Sequence, residues 1–177
     1  MAFHSTAIVA AGAEIDPSCE IGPFAVIGPL VKMGRNNVVG AHAVVEGHTT
    51  IGAGNRIHAH AVVGAPPQDL KYRGEETWVE IGPGTIIREY TTINRGTSQS
   101  YKTTVGARCF IMSYVHLAHD CHIGDEVVIA NATQFAGHVT VHDRAVLSGL
   151  NAVHQFVTIG THAFVGGGSR VNQDIPP

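Results

Sequence analysis

The chain has 177 residues, of which 44% are hydrophobic and 14% are charged, and its formal net charge is −3. The length suits one domain with a real core, and the low charged fraction excludes a disordered chain. The acidic balance disfavours a nucleic-acid-binding protein, no apolar run is long enough for an integral membrane segment, and the N-terminus does not resemble a signal peptide. We therefore expect a soluble, cytoplasmic protein whose single domain covers residues 1–177.

The composition favours short β-strands joined by frequent turns. Val and Ile together number 36, whereas Leu numbers only 5. β-branched residues favour strands, and the scarcity of Leu disfavours helices. The 21 Gly and 8 Pro residues supply many turns. The sequence thus predicts an all-β protein.

A repeat of six residues begins at Phe3 and runs without a break to Val63. Counted to Val171, 26 of the 29 positions in this phase hold Val, Ile, Leu, Met or Phe, where the composition alone predicts about 8. The next position is often Gly, and the fourth position after the aliphatic residue is usually small. Each unit therefore resembles a short strand and a corner, with one large and one small side chain pointing inward. Stacked units of this kind form a parallel β-solenoid.

Two segments interrupt the repeat and are expected to leave the solenoid as loops. Residues 65–78 (APPQDLKYRGEETW) and residues 94–104 (NRGTSQSYKTT) contain all three exceptions to the pattern, Asp69, Glu75 and Gln99. The same phase returns after each interruption, so each segment should start and end at a corner. Loops held on a rigid scaffold often carry function, although a tolerated surface insertion would look the same.

The three cysteines, Cys19, Cys109 and Cys121, share the small inward phase of the repeat. An odd number of buried cysteines argues against a disulfide framework, and no cysteine pair has the spacing of a metal site. We expect them to be packing residues in a reducing compartment.

Short motifs near and after the interruptions carry a resemblance over nearly the whole chain. They are PPQDLKYRGE (66–75), IREYTTINRGT (87–97), HLAHDC (116–121), FAGH (135–138), AVHQF (152–156) and QDIPP (173–177). Together they resemble the acyl-carrier-protein-dependent UDP-N-acetylglucosamine O-acyltransferases of lipid A biosynthesis. Hexapeptide repeats occur in many acyltransferases, but the combination of QDLKY, HLAHDC and AVHQF is specific.

The resemblance implies an architecture and an activity. The fold would be a left-handed parallel β-helix, and three copies would form a homotrimer with active sites between subunits. The reaction would transfer an (R)-3-hydroxyacyl group from acyl carrier protein to the 3-hydroxyl of UDP-N-acetylglucosamine. The acyl donor is a thioester of acyl carrier protein, and no cofactor or metal is expected.

The family's coil of eighteen residues predicts which residues stack on one another, at roughly 4.8 Å per rung. His119 would lie under Gly137, and Asp120 would lie under His138. A neutral His is suited to remove a proton from a hydroxyl, and an adjacent carboxylate orients it. A patch of exposed, structural histidines is the alternative. The predicted patch comprises His119, Asp120, Gly137, His138, His154 and Gln155.

The resemblance also assigns roles to individual residues. His119 matches the general base, Asp120 its supporting carboxylate and Gly137 the backbone donor to the oxyanion. Gly167 matches the position that limits acyl-chain length, and a glycine there suggests a longer chain. The family continues into a C-terminal helical domain that contributes to nucleotide binding and that this chain does not include. The positions that match substrate-binding residues are Gln68, Asp69, Lys71, His116, His138, His154 and Gln155.

Other functions remain open at this stage. A close variant would transfer the acyl group to a 3-amino UDP-sugar. A zinc-dependent, carbonic-anhydrase-like trimer would use the same scaffold, but His116 and His122 occupy equivalent places in successive units and should face different sides of the solenoid. A zinc site would then need a histidine from a neighbouring subunit. A solenoid without catalytic activity is the third alternative.

Overall fold

The computed structural model describes residues 2–177 and consists of 26 short parallel strands. Most strands are two residues long, as expected for a repeat of six residues. In chain order they are β1 (Ala2–Phe3), β2 (Ile8–Val9), β3 (Glu14–Ile15), β4 (Glu20–Ile21), β5 (Val26–Ile27), β6 (Lys32–Met33), β7 (Val38–Val39), β8 (Val44–Val45), β9 (His48–Ile51), β10 (Arg56–Ile57), β11 (Val62–Ala65), β12 (Trp78–Ile81), β13 (Ile86–Ile87), β14 (Thr92–Asn94), β15 (Lys102–Val105), β16 (Phe110–Ile111), β17 (His116–Leu117), β18 (His122–Ile123), β19 (Val128–Ile129), β20 (Gln134–Phe135), β21 (Thr140–Val141), β22 (Val146–Leu147), β23 (Ala152–Val153), β24 (Thr158–Ile159), β25 (Phe164–Val165) and β26 (Arg170–Val171).

Every third strand belongs to the same sheet, so the chain winds around a prism with three faces. Sheet A contains β1 and every third strand to β25, sheet B runs from β2 to β26, and sheet C runs from β3 to β24. All pairings between neighbouring strands are parallel. The expected all-β architecture, a left-handed parallel β-helix, is confirmed. No helix long and apolar enough to cross a membrane occurs within residues 2–177.

The two excursions preserve the repeat because they add whole units to a coil. Residues in register are normally 18 apart, as at Gln134 and Ala152. The offset rises to 30 between Val62 and Thr92 and to 24 between Thr92 and His116. Each offset is a multiple of six, so the aliphatic phase survives both interruptions.

The excursions are shorter than the sequence predicts. Strand β11 extends to Ala65 and β12 begins at Trp78, so the first loop comprises residues 66–77. Strand β14 includes Asn94, and β15 already begins at Lys102, so the second comprises residues 95–101. The predicted limits of 65–78 and 94–104 were wrong because residues 102–104 pair with residues 78–80 although their polar side chains break the apolar pattern.

The interior is a continuous column built from the two inward positions of each unit. The large position is filled by fully buried aliphatic residues such as Ile27, Ile111 and Leu147. The small position holds Ala, Val, Thr, Asn or Cys, and its polar members bond to the backbone: Asn37 Nδ2 donates to the carbonyl oxygens of Gly34 and Gly52. Cys19, Cys109 and Cys121 are buried and unpaired, as expected.

The column makes a clear stability prediction. Replacing the fully buried Ile111 by alanine leaves a cavity and should lower the free energy of unfolding by about 2–5 kcal/mol. Ile8 offers a matched control, because its side chain is 62% exposed in a strand of the same length. Ile8→Ala should cost less than about 1 kcal/mol. Denaturant unfolding of both variants measures the difference. Equal losses of unfolding free energy would contradict a core formed by the aliphatic column.

Candidate active site

A cleft of about 540 Å³ lies at the corner between sheets B and C, beneath both excursions. Residues 68–72 of the first excursion line it, together with residues 97–99 of the second. The corner turns that follow β17, β20 and β23 contribute His119, His138 and the pair Gln155 and Phe156. Asp69, Glu75 and Gln99, the three polar exceptions to the aliphatic repeat, all line this cleft.

His119 and Asp120 form a hydrogen-bonded pair at the base of the cleft. His119 Nδ1 lies 2.9 Å from Asp120 Oδ2, and the carboxylate is fully buried whereas the imidazole is 16% exposed. An ionised carboxylate only accepts hydrogen bonds, so Nδ1 carries the proton and donates it. The lone pair of the neutral ring is then on Nε2, which has no hydrogen-bond partner within residues 2–177. This is the tautomer that a general base requires.

Asp120 also anchors the second excursion. The Thr97 backbone N–H donates to Oδ1 at 2.9 Å, and the Thr97 hydroxyl donates to Oδ2 at 2.6 Å. The Ser100 hydroxyl donates to Oδ1 at 2.5 Å. Burial by itself raises the pKa of Asp120, but the hydrogen bonds from Ser100, Thr97 and His119 outweigh it and hold the pKa below its ordinary value. The carboxylate is therefore ionised at neutral pH and links the second excursion to His119.

Thr97 and Ser100 were missed in the sequence. Thr97 stands four residues after Ile93, which is the small inward phase of the repeat, and this phase was the available signal. Because residues 94–104 were assigned to a loop, the inward phase of Thr97 was not recognised. Ser100 has no such signal, because nothing in the repeat fixes the path of residues 95–101.

The low pKa of Asp120 predicts a pH-dependent stability. The pKa in the folded state lies below that of the unfolded chain, about 3.9. The stabilisation is thus complete above the unfolded-state pKa and is lost as the pH falls through the folded-state value. The free energy of unfolding should fall more steeply below about pH 4 in the wild type than in Asp120→Asn. Urea unfolding across this pH range tests the prediction. Glu20→Gln is an exposed control, which should keep the wild-type dependence of the unfolding free energy on pH. Equal slopes in the wild type and Asp120→Asn would contradict it.

Gly137 lies on the rung above His119, as the stacking predicts, and its missing side chain makes room for the imidazole. A Cβ atom at this position would lie 2.8 Å from His119 Nε2 and closer still to Cε1. The backbone N–H of Gly137 donates to no acceptor within the described residues, because the ladder bonds of this rung are made by Ala136 and His138. An unused N–H beside His119 is a donor available to a negatively charged oxygen.

His138 lies above Asp120, also as predicted, and is held in a stack. Its Nε2 is 3.7 Å from Asp120 Oδ2, and its ring stacks on Phe156 with centroids 4.7 Å apart. Burial lowers the pKa of His138 and outweighs the opposing effect of Asp120, so this ring is neutral at pH 7. Asp120, His138 and Phe156 occupy the left-handed position of successive turns, with φ of 59°, 63° and 66°, which keeps their side chains in one line.

The first excursion contributes the polar residues that the motif QDLKY predicts. Gln68, Asp69 and Lys71 all line the cleft. The Asp69 carboxylate accepts the Lys71 backbone N–H at 2.9 Å, which forms a turn at the loop tip. Arg95 of the second excursion holds the first excursion in place. Its guanidinium donates to the Gly64 carbonyl at 2.6 Å and to the Tyr72 hydroxyl at 3.2 Å. The two excursions are therefore tied to each other as well as to the solenoid.

Comparison with known proteins decides the family. Residues 30–65 and 102–137 match the family "Bacterial transferase hexapeptide (six repeats)". An acyl-[acyl-carrier-protein]--UDP-N-acetylglucosamine O-acyltransferase from Burkholderia orbicola is 55% identical over 175 residues, which is 98% of this chain and 67% of that protein. The protein of the same name from Verminephrobacter eiseniae is 53% identical over the same shares. The chain belongs to the UDP-N-acetylglucosamine O-acyltransferase family.

Solved structures of this acyltransferase family have the same fold as the chain. The UDP-N-acetylglucosamine acyltransferase of Francisella novicida superposes with a TM-score of 0.97 at 41% identity, covering 99% of this chain and 64% of that one. The enzyme from Campylobacter jejuni superposes with a TM-score of 0.94 at 38% identity, covering 98% and 68%. A relative from Synechocystis is 53% identical over 129 residues, 73% of this chain and 47% of that protein. The chain thus spans between about half and two thirds of the length of these relatives.

Three predicted residues of the acyltransferase site lie outside the cleft of the single chain. His116 is on the face of sheet B, where its Nδ1 pairs with the Thr92 hydroxyl at 2.7 Å. His154 adjoins Gln155 in sequence but lines a neighbouring depression on sheet B. Gly167 lies at the corner between sheets A and B, next to Gly149. His154 therefore does not line the same depression as His119 in the single chain, and the roles of all three residues stay predictions.

The histidine set considered for zinc does not converge. His116 belongs to sheet B and His122 to sheet C, as expected from their equivalent places in successive units. Each ring is hydrogen-bonded through Nδ1 to a threonine hydroxyl. The partner of His116 is Thr92, and the partner of His122 is Thr104, at 3.0 Å. These two rings cannot share one ion with His119 in this arrangement.

Proposed function

We propose that the chain transfers an (R)-3-hydroxyacyl group from the thioester of acyl carrier protein to the 3-hydroxyl of UDP-N-acetylglucosamine, the first step of lipid A biosynthesis. The names of its relatives support the donor and the acceptor. The observation that carries the chemistry is the His119–Asp120 pair, which leaves the Nε2 lone pair free in the cleft. The proposal includes a homotrimer and a cytoplasmic location, which are typical of the family.

The reaction needs one base and no covalent enzyme intermediate. His119 Nε2 removes the proton from the sugar hydroxyl as its oxygen attacks the thioester carbonyl. Asp120 stabilises the imidazolium that forms, and the free N–H of Gly137 donates to the developing oxyanion. Collapse of the tetrahedral intermediate breaks the carbon–sulfur bond. The proton held by His119 then passes to the departing thiolate, which regenerates the neutral base.

The polar residues of the cleft would bind the two substrates. Lys71 is an exposed cation at the loop tip and suits the phosphates of the nucleotide sugar. Gln68 and Gln155 offer amide donors and acceptors for sugar hydroxyls. The neutral ring of His138 offers a flat surface and one nitrogen to the acceptor sugar. The acyl donor brings its own activated thioester, so this mechanism uses no cofactor.

An acceptor comparison tests the function. The purified chain is incubated with (R)-3-hydroxyacyl thioesters of acyl carrier protein of several lengths, and with UDP-N-acetylglucosamine or the corresponding 3-amino UDP-sugar. Mass spectrometry of the nucleotide sugar is expected to show one added acyl group on the hydroxyl acceptor. Acylation of the 3-amino sugar alone would change the assigned acceptor. Stoichiometric zinc with carbon dioxide hydration and no acyl transfer would overturn the proposal.

A further inference from the structure

Three possible metal ligands converge at the base of the cleft, and the proposed reaction uses none of them to bind a metal. His119 Nδ1, Asp120 Oδ2 and His138 Nε2 all lie within 4.8 Å of one another. No other group of three or more such side chains converges in this way among residues 2–177. The trio differs from the pairing of His116 and His122, which the sequence already disfavours as a zinc site.

Two of the three separations between these atoms are close to those around a tetrahedral ion. Bond lengths of about 2.0–2.2 Å place the ligands of tetrahedral zinc roughly 3.3 Å apart. The two distances from Asp120 Oδ2 lie on either side of this value, at 2.9 Å to His119 Nδ1 and 3.7 Å to His138 Nε2.

The surrounding structure holds all three side chains in place. Asp120 is fixed by Thr97 and Ser100, and Phe156 stacks on His138. The backbone N–H of His138 donates to the carbonyl of His119 at 3.1 Å, which locks the two turns together. A site built from restrained side chains loses little conformational entropy on binding.

The chemical types of the three ligand atoms indicate which metal ion the site would bind. Two imidazole nitrogens and one carboxylate oxygen suit Zn²⁺ or Co²⁺, whereas Mg²⁺ and Ca²⁺ prefer oxygen ligands alone. Three protein ligands leave a fourth position open to water. The open side is the cleft, since His119 and His138 both line it.

We propose that His119, Asp120 and His138 bind Zn²⁺ as an inhibitor of the acyl transfer. The ion binds His119 through Nδ1 after a change of tautomer: the Nδ1 proton, which is hydrogen-bonded to Asp120, is released to solvent, and Nε2 takes up a proton in its place. In the metal-bound neutral imidazole the proton resides on Nε2, the atom that must accept the sugar's proton. Zinc thus removes the base by exchanging the tautomer, and it removes Asp120 from its supporting role. The inhibition rests on the proposed function, but the binding does not.

Metal binding is tested without any activity. Co²⁺ added to the metal-free chain should give the visible absorption of a four-coordinate site, and Zn²⁺ should displace it while Mg²⁺ and Ca²⁺ do not. His138→Gln and Asp120→Asn should each weaken Zn²⁺ binding at least about 100-fold, since even outer-shell changes cost 10–100-fold. His162→Gln, an exposed histidine at another corner, should bind as the wild type does. Unchanged affinity in a folded His138→Gln variant would overturn the site.

Inhibition is tested on the same protein with the acyl-transfer assay. Zn²⁺ should lower kcat in a dose-dependent way that a chelator reverses, and His138→Gln should need at least about 100-fold more Zn²⁺ for the same fractional loss. Full turnover with zinc bound would overturn the inference and leave the proposed function intact. Zinc bound at the trio with no acyl transfer under any condition would overturn the proposed function and, with it, the inhibitory role.

Discussion

Replacing His119 by alanine is expected to lower kcat by roughly 10²- to 10⁴-fold, the range that a general base contributes. The substitution removes the imidazole whose free Nε2 is proposed to accept the sugar's proton. KM should change much less, because the residues expected to hold the nucleotide sugar are elsewhere. Steady-state assays of thiol release from the acyl carrier protein thioester measure both constants.

The His119→Ala variant should still fold. The side chain lies outside the aliphatic column, and Asp120 keeps its hydrogen bonds to Thr97 and Ser100. Thermal unfolding followed by circular dichroism checks this. His162→Ala is the matched control, because it removes an exposed histidine at the corner between sheets C and A. Wild-type kcat in a folded His119→Ala variant would refute the assignment of the base.

Adding a single methyl group at Gly137 is expected to lower kcat about 100-fold, because small misplacements of a catalytic group have effects of this size. The new Cβ atom would collide with the His119 ring and displace it from Asp120. The backbone of Gly137 does not adopt a positive φ, so alanine fits it without conformational strain. The defect should therefore appear in turnover while the fold is kept.

Gly166 provides the control for Gly137→Ala. It is also a solenoid glycine without a positive φ, but a Cβ atom there meets no atom within 4 Å. Gly166→Ala should keep wild-type kcat and stability. If Gly137→Ala were as active as Gly166→Ala, the close packing of His119 under Gly137 would have no part in catalysis.

The sequence was sufficient to predict the solenoid from its repeat, and the stacking at His119 and Asp120 from the repeat together with the family's coil of eighteen residues. Once residues 18 apart are stacked, His119 must lie next to Gly137, and Asp120 next to His138. The same rule correctly separates His116 from His122. The repeat, combined with the eighteen residues per coil that the resemblance implies, specifies the rung and the face of each of these residues.

The remainder of the site depends on features without a period. No rule of the repeat places Ser100 on Asp120, since residues 95–101 leave the coil and return by a path that their own contacts decide. His154 was assigned to a rung by the repeat, but the repeat does not show that it lines a separate depression on sheet B. The length of the excursions was overestimated because polar residues such as Thr104 pair in β15 just as apolar residues would.

One measurement tests the central claim directly: thiol release from the (R)-3-hydroxyacyl thioester and acylation of the nucleotide sugar followed in the same sample. We predict that both begin only after UDP-N-acetylglucosamine is added, that they proceed one to one, and that both are lost in His119→Ala. Thiol release before the sugar is added, or undiminished sugar acylation in His119→Ala, would contradict direct attack assisted by this base.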